Sequence, residues 1–259
     1  MKSFCFTIDD NIRCLREIAQ GQLKSIFDHP YLSLWLGLHE EYGAKVQLNL
    51  FYNDRDIDFT LSDFPSAYAK EWQDNADWLK LSFHSKSNDY KPYEQSGYDE
   101  VYKDCKQVHD EILRFAGAKS LAKTTTIHFA RMTAEGVKAV QDLGVQGLLG
   151  LFGTDENPRV SYDCDLADSA LCRTGAIVYR NGMAHAGIDC ILNKLSQEEI
   201  SSCLDGLLGR EFIRIMIHEQ HFFSDYPQYY QPDFSEKVFG AVAKLRENGY
   251  ESKFFEEMI

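Results

Sequence analysis

The sequence predicts an α/β fold, a barrel of about seven parallel strands covered by helices. Three observations carry that expectation. Apolar strand-like runs recur along the 259 residues with helical patterns between them, the order that a parallel sheet with covering helices requires. No G-x-G-x-x-G turn follows any of these runs, which disfavours a dinucleotide-binding open sheet. No internal repeat, low-complexity tract or linker interrupts the chain, so a single domain over residues 1–259 is expected.

The strands are read in order. SFCFTI (3–8) comes first, and KVQLNLFY (45–52) alternates before breaking at Asn53-Asp54. WLKLSFH (78–84), TTTIHFA (124–130) and VQGLLGLF (145–152) follow. TGAIVYRNGMAHAGIDCILN (174–193) reads as a hairpin turning at Asn181-Gly182 and leading into a further strand, and FIRIMIHE (212–219) closes the series.

Between them, Ile12, Leu15 and Ile18 repeat every three residues, and a polar helix runs from Ala67 to Asn75. Asp99 to Phe115 keeps a helical period through Val101, Cys105, Val108, Ile112 and Phe115. Thr133 to Leu143 stops at Gly144, a residue suited to ending a helix. Ser196 with Glu199 three residues on is a capping-box pattern, and the last helix spans Ser235 to Asn248.

Composition narrows the function. A formal net charge of −13 lacks the basic footprint that phosphate backbones and anionic membranes select, so neither a nucleic acid nor a membrane is an expected partner. No apolar run reaches the ~18 residues of a membrane span. The N-terminus is charged again by Asp9, which leaves no room for a signal-peptide core of about 7–15 residues. Seven dispersed cysteines without a C-x-x-C pair suit reduced thiols and a cytoplasmic protein.

In parallel α/β folds the reactive groups gather at the carboxyl ends of strands. The first run ends in Asp9-Asp10, the third in His84-Ser85, the fourth reaches His128, and the last ends in His218-Glu219. With only eight histidines in the chain, that convergence is more informative than any one of these residues. The alternative for Asp10, the weaker of the two, is a cap for the helix near Ile12. The chemistry that fits the set is metal-assisted hydrolysis. A divalent ion tolerates two adjacent carboxylates, one as ligand while the other accepts the proton of a water, and a histidine opposite protonates the leaving group. Zinc is the first expectation, with manganese or cobalt compatible with the same oxygen and nitrogen donors.

These motifs resemble those of the polysaccharide deacetylases, carbohydrate esterase family 4. Thr7-Ile8-Asp9-Asp10-Asn11 is similar to that family's T-F-D-D-G, with Ile for Phe and Asn for Gly. His84-Ser85 is similar to the start of its H-S/T-x-x-(x)-H motif, and Ile217-His218-Glu219 to its late strand-end H-D. The resemblance implies a distorted (β/α) barrel, NodB-like, and an enzyme that deacetylates a small carbohydrate or related amide. It implies Asp9 as general base, His218 as general acid, and Asp10 and His84 as metal ligands. The motif's second histidine is missing, with Ser87 or Asn88 near its place, so the third ligand is open among Asn88, Asp89 and His128. Arg131, without the flanking prolines of the family's arginine motif, joins Tyr93 and Glu219 as the expected substrate-binding residues. Tyr90, Tyr93, Tyr98 and Tyr102 on one side, and Tyr226, Tyr229 and Tyr230 on the other, are candidate platforms for a sugar ring. Two competing expectations are a non-catalytic carbohydrate binder that has lost the metal and a hydrolase of another C–N bond on the same fold.

Overall fold

The computed structural model describes residues 2–88, 93–154 and 156–259. β1 (Ser3–Asn11) leads to α1 (Arg13–Gly21) and α2 (Pro30–Tyr42), followed by β2 (Val46–Asn53), the short α3 (Ala69–Asp74) and β3 (Leu79–Ser87). Then come α4 (Tyr98–Phe115), β4 (Thr124–Thr125), α5 (Ala134–Asp142), β5 (Gly147–Gly150) and α6 (Leu166–Arg173). β6 (Val178–Arg180), β7 (Met183–Gly187), β8 (Cys190–Ile191), α7 (Gln197–Leu207), β9 (Phe212–His218), α8 (Phe234–Glu247) and β10 (Glu251–Ser252) complete the order.

Two sheets curve around one axis. The first runs β3-β2-β1-β9-β8, and the second β4-β5-β7-β6; the pairs are parallel except for the β6–β7 hairpin. The sheets meet at two seams. At one, Ile188 donates its N–H to Gly150 of β5 while Asp189 donates to Arg214 of β9, so β7 and β8 form one run that changes sheets. At the other, side chains join β3 to β4: Ser82 Oγ donates to the Thr124 carbonyl at 2.9 Å and Thr125 Oγ1 to that of Phe83. Counting β7 and β8 together, seven parallel runs surround the interior among the described residues, and this is the distorted (β/α) barrel.

Alternation along the strands sorts the layers. On β1, Phe6 faces outward onto Trp35 of α2, ring centroids 5.5 Å apart and perpendicular. Cys5, on the other face, packs with Leu149, Ala184, Ala186 and Phe255. α2 was not legible as an amphipathic helix because its sequence PYLSLWLGLHEEY is apolar on most sides. Its end signals are nonetheless ordinary, Pro30 at the first turn and Gly43 in the left-handed region (φ 64°) just after it. Other sequence signals appear as read: Thr133 Oγ1 accepts from Gly136 N, Ser196 and Glu199 form their capping box, and Asn181-Gly182 turn the hairpin with φ of 51° and 82°.

The fourth run is a correction. Only Thr124–Thr125 pair as strand, and the expected continuation to 130 turns instead, because Phe129 and Ala130 are both left-handed (φ 62° and 51°) and cannot extend a ladder.

Candidate active site

The two acids of β1 both reach one site because the strand is irregular there. The β1–β2 register shifts between Ile8 and Asn11, and Asp10 sits at φ 65°. Adjacent residues of a regular strand face opposite sides; the left-handed Asp10, at a cost of about 1–2 kcal/mol, rotates its carboxylate back toward the barrel mouth. Asn11 holds the distortion: its Nδ2 donates to Ile8 O at 2.6 Å and to Asn49 O at 3.2 Å, while Tyr31 O–H donates to its Oδ1.

Asp10 Oδ1 lies 3.0 Å from His84 Nε2 and 3.4 Å from His128 Nδ1, and the two ring nitrogens are 3.2 Å apart. Both rings are fixed from behind. His84 Nδ1 donates to Thr126 O at 2.5 Å, and His128 Nε2 to Asn88 O at 3.3 Å. Those bonds set the tautomers and aim two lone pairs and a carboxylate oxygen at one point. Burial opposes charge on Asp10, but the hydrogen bonds that His128 and His84 donate when protonated outweigh it and hold its carboxyl well below the usual range. For His84, burial is outweighed by the Asp9 and Asp10 carboxylates, and its pKa is raised. The cluster is thus arranged around a positive charge.

Asp9 is buried, and that burial raises its carboxyl above the ordinary range despite the facing His84 and His218. Asn49 Nδ2 donates to its Oδ1 at 2.7 Å, and Gln47 Nε2 in turn fixes Asn49 Oδ1 at 2.7 Å. These two residues alternate with Leu48 and Leu50 on β2, a period-two polar signal that the sequence reading noted only as alternation. His218, at the end of β9, has Nδ1 held 2.9 Å from Asn193 Oδ1. Asn193 Nδ2 donates to His221 Nε2 at 3.0 Å, and His221 Nδ1 to Tyr229 O at 2.6 Å, so one relay fixes both rings.

Two hollows meet at His128 and the half-exposed Phe129. One, about 240 Å³, is lined by Asp9, His84, His128, Phe129, Arg159 and His218 among others. The other, about 230 Å³, is lined by Asp10, Arg13, Asp54, Phe129, Tyr226 and Tyr229 among others. Arg13 lies over the Tyr226 ring at 4.0 Å, with Asp54 Oδ2 3.9 Å from its Nε. A larger hollow of about 740 Å³, lined by Glu100, Glu135 and Lys138 among others, gathers no such set of ligands, so size does not mark the site.

Three expected substrate residues have other work. Glu219 is fully buried, and its carboxylate accepts the N–H groups of Ile12, Arg13 and Cys14 at 2.8–3.0 Å. It caps α1, whose own cap position is the apolar Ile12, and the capping role considered for Asp10 falls to it instead. Tyr93 is also buried; its O–H donates to Asp104 and accepts from Lys86 N, both at 3.1 Å. Arg131 pairs with Glu94 at the surface and lines neither hollow, whereas Arg159 lines the first and donates to Phe129 O at 2.6 Å. Arg159 lies in a stretch without periodicity, and no sequence signal pointed to it. Tyr98 and Tyr102 stack on each other and line neither of the two hollows that meet at His128; Tyr98 lines the larger hollow and bonds to Asp142. Asp89 and Tyr90 lie outside the described residues. Asn88 spends its amide on Asp54 and Arg55, and the second imidazole beside Asp10 comes from His128 on the next strand run.

Similarity to solved structures extends over nearly the whole chain. A family 4 acetyl xylan esterase from Clostridium thermocellum, in complex with a cobalt ion, aligns with 99% of this chain and 90% of its own at 13% identity, with a TM-score of 0.51. A peptidoglycan N-acetylglucosamine deacetylase aligns with 99% and 87% at 10% identity, TM-score 0.58. The chain has the polysaccharide-deacetylase fold. The same fold matches 99% of this chain to 40% of a 4-alpha-glucanotransferase from Thermococcus litoralis, at 13% identity and TM-score 0.61. At the level of sequence, no family model and no curated protein matches. The deacetylase fold therefore fixes the scaffold, and the reaction must be argued from this chain's own residues. None of the described helices is long and apolar enough to cross a membrane.

Proposed function

We propose that the protein is a metal-dependent deacetylase acting on an N- or O-acetylated sugar or a related amide. The observation that carries this reading is the convergence of Asp10 Oδ1, His84 Nε2 and His128 Nδ1 within 3.4 Å of one another, beside buried Asp9 and opposite His218. The donor set fits a divalent ion. Three acceptors meet, each ring's other nitrogen already donates to a carbonyl, and oxygen plus imidazole donors suit zinc, manganese or cobalt. Asp10, His84 and His128 would hold the ion, which would supply Lewis acidity to the acyl carbonyl and to the attacking water.

The protein's own groups supply the proton transfers. Asp9 accepts the proton of the attacking water; its burial raises its basicity, and Asn49 fixes its orientation. His218 in its protonated form keeps Nδ1–H on Asn193 Oδ1 and gives its Nε2 proton to the leaving nitrogen or oxygen. Phe129, 48% exposed between the two hollows, and Tyr226 and Tyr229 beyond it offer faces for a sugar ring.

The glucanotransferase match raises glycosyl transfer as a second reading, but Asp10 is engaged by His84 and His128 and Asp54 by Asn88 and Arg13, which leaves Asp9 as the one carboxylate beside His218. Glycoside chemistry of the usual kind needs two, facing each other across the bond at about 5 Å or more.

The test is acetate release from acetylated xylan, N-acetylated chito-oligosaccharides and peptidoglycan fragments, with protein reconstituted in zinc, manganese or cobalt. Release by the wild type that is lost in Asp9→Asn is expected. Sugar binding by calorimetry without turnover in any metal form would overturn the reading in favour of a binding protein.

A further inference from the structure

A second group of ligand-type side chains meets on the far side of the sheet from the catalytic hollows. On β7, Ala184 and Ala186 pack into the apolar cluster around Cys5 and Leu149, so His185 takes the opposite face. The chain between β5 and β6 folds over that face and brings Asp163 and Cys164 to it. One ligand atom from each of Asp163, Cys164 and His185 lies within 4.8 Å of the other two.

What singles out this cluster is His185. It is 0% exposed, yet among the described residues neither of its ring nitrogens has a hydrogen-bond partner. Its Nε2 stands 3.3 Å from Asp163 Oδ1, close enough for attraction but not aligned for a hydrogen bond, and that oxygen is likewise without a hydrogen-bond partner. A simple buried His–Asp pair would align one N–H on the carboxylate and satisfy the second nitrogen elsewhere. An enclosed imidazole with both nitrogens unmatched is costly, and native interiors seldom keep one. A cation between the three donors removes the mismatch at both His185 Nε2 and Asp163.

We infer that Asp163, Cys164 and His185 form a second metal site, distinct from the Asp10–His84–His128 group, for a zinc-class divalent ion. One thiolate, one imidazole and one carboxylate select zinc over magnesium, calcium or manganese, which prefer oxygen, and leave one tetrahedral position open. The site also has a structural consequence. Tyr162, next to Asp163, donates its O–H to Leu149 O at 2.5 Å and accepts from Ile127 N at 3.2 Å, which ties this segment to β5 and to the turn after β4. Arg159, three residues earlier, lines the catalytic hollow and bonds Phe129 O. An ion at Asp163–Cys164–His185 fastens the segment that forms part of the catalytic wall.

Cobalt(II) distinguishes the two sites, because only one contains sulfur. Metal-free protein is titrated with cobalt and followed in the near ultraviolet for thiolate-to-cobalt charge transfer. A saturable band of one equivalent is expected in the wild type. It should persist in His128→Gln and vanish in Cys164→Ser and in His185→Gln. A wild type saturated with cobalt without a thiolate band overturns the site, and that measurement needs no variant to fold. A band that survives Cys164→Ser overturns it too. Should Cys164→Ser fail to fold, His109→Gln serves instead: a band lost there would assign the thiolate to Cys105, whose Sγ lies 3.6 Å from His109 Nε2, and would equally overturn the proposal.

Discussion

His84 Nε2 and His128 Nδ1 face each other 3.2 Å apart, and Asp10 Oδ1 completes a triangle with them. Two ring nitrogens and a carboxylate oxygen this close need a positive charge among them, either a proton on one ring or a metal ion. Asp10→Asn and His128→Gln should each lower metal content by one equivalent and weaken affinity at this centre by about 100-fold or more, since even outer-shell changes cost about 10–100-fold. Elemental analysis and a competition titration read this, with an unchanged circular dichroism spectrum as control. Undiminished binding in both variants would contradict the assignment.

Asp9 separates catalysis from metal binding. Asp9→Asn keeps shape and the Asn49 contact but removes the proton acceptor, so turnover should fall roughly 10²–10⁴-fold while the ion is retained. Loss of the metal together with activity would instead make Asp9 a ligand.

Glu219 is expected to matter for stability rather than for substrate. Glu219→Gln replaces a carboxylate that accepts three buried N–H groups by an amide that offers a single acceptor oxygen, at a cost of about 1–3 kcal/mol. A lower urea midpoint with KM unchanged is the expected result. A raised KM at unchanged stability would return Glu219 to the substrate.

His109 supplies a pH dependence. Burial on α4 pushes its imidazole down from 6.5 to about 4, so between those values the unfolded chain binds more protons than the folded one. Its contribution is complete above about pH 6.5 and is lost as pH falls toward 4; at pH 5 about 2 kcal/mol is gone. His109→Gln should flatten the urea-unfolding profile between pH 7 and pH 5 by about that amount. An unchanged slope would contradict it.

The legible part of the molecule was the part written as local periodicity. Strands such as 45–52, helices such as the one ending at Phe115, and the placing of Asp9, Asp10 and His218 toward the carboxyl ends of their strands follow from alternation, a 3.6-residue period and the rule that ligands gather there, whereas β3 runs three residues past His84. What was not legible depended on backbone irregularity or distant partners. That Asp9 and Asp10 can share a site requires the left-handed Asp10, and that His128 reaches it requires the turn at Phe129 and Ala130. Glu219 looked like half of a strand-end pair because its partners, the N–H groups of Ile12 to Cys14, are some 200 residues away in sequence. Tyr93 carried the composition of a sugar platform but is spent on Asp104 and Lys86.

The most direct test of the central claim is anomalous scattering from crystals grown with zinc, measured at the metal's absorption edge. A peak is expected at about 2.0–2.2 Å from Asp10 Oδ1, His84 Nε2 and His128 Nδ1, with Asp9 outside the coordination sphere. An anomalous map with no peak at that triangle, from crystals saturated with zinc, would contradict it.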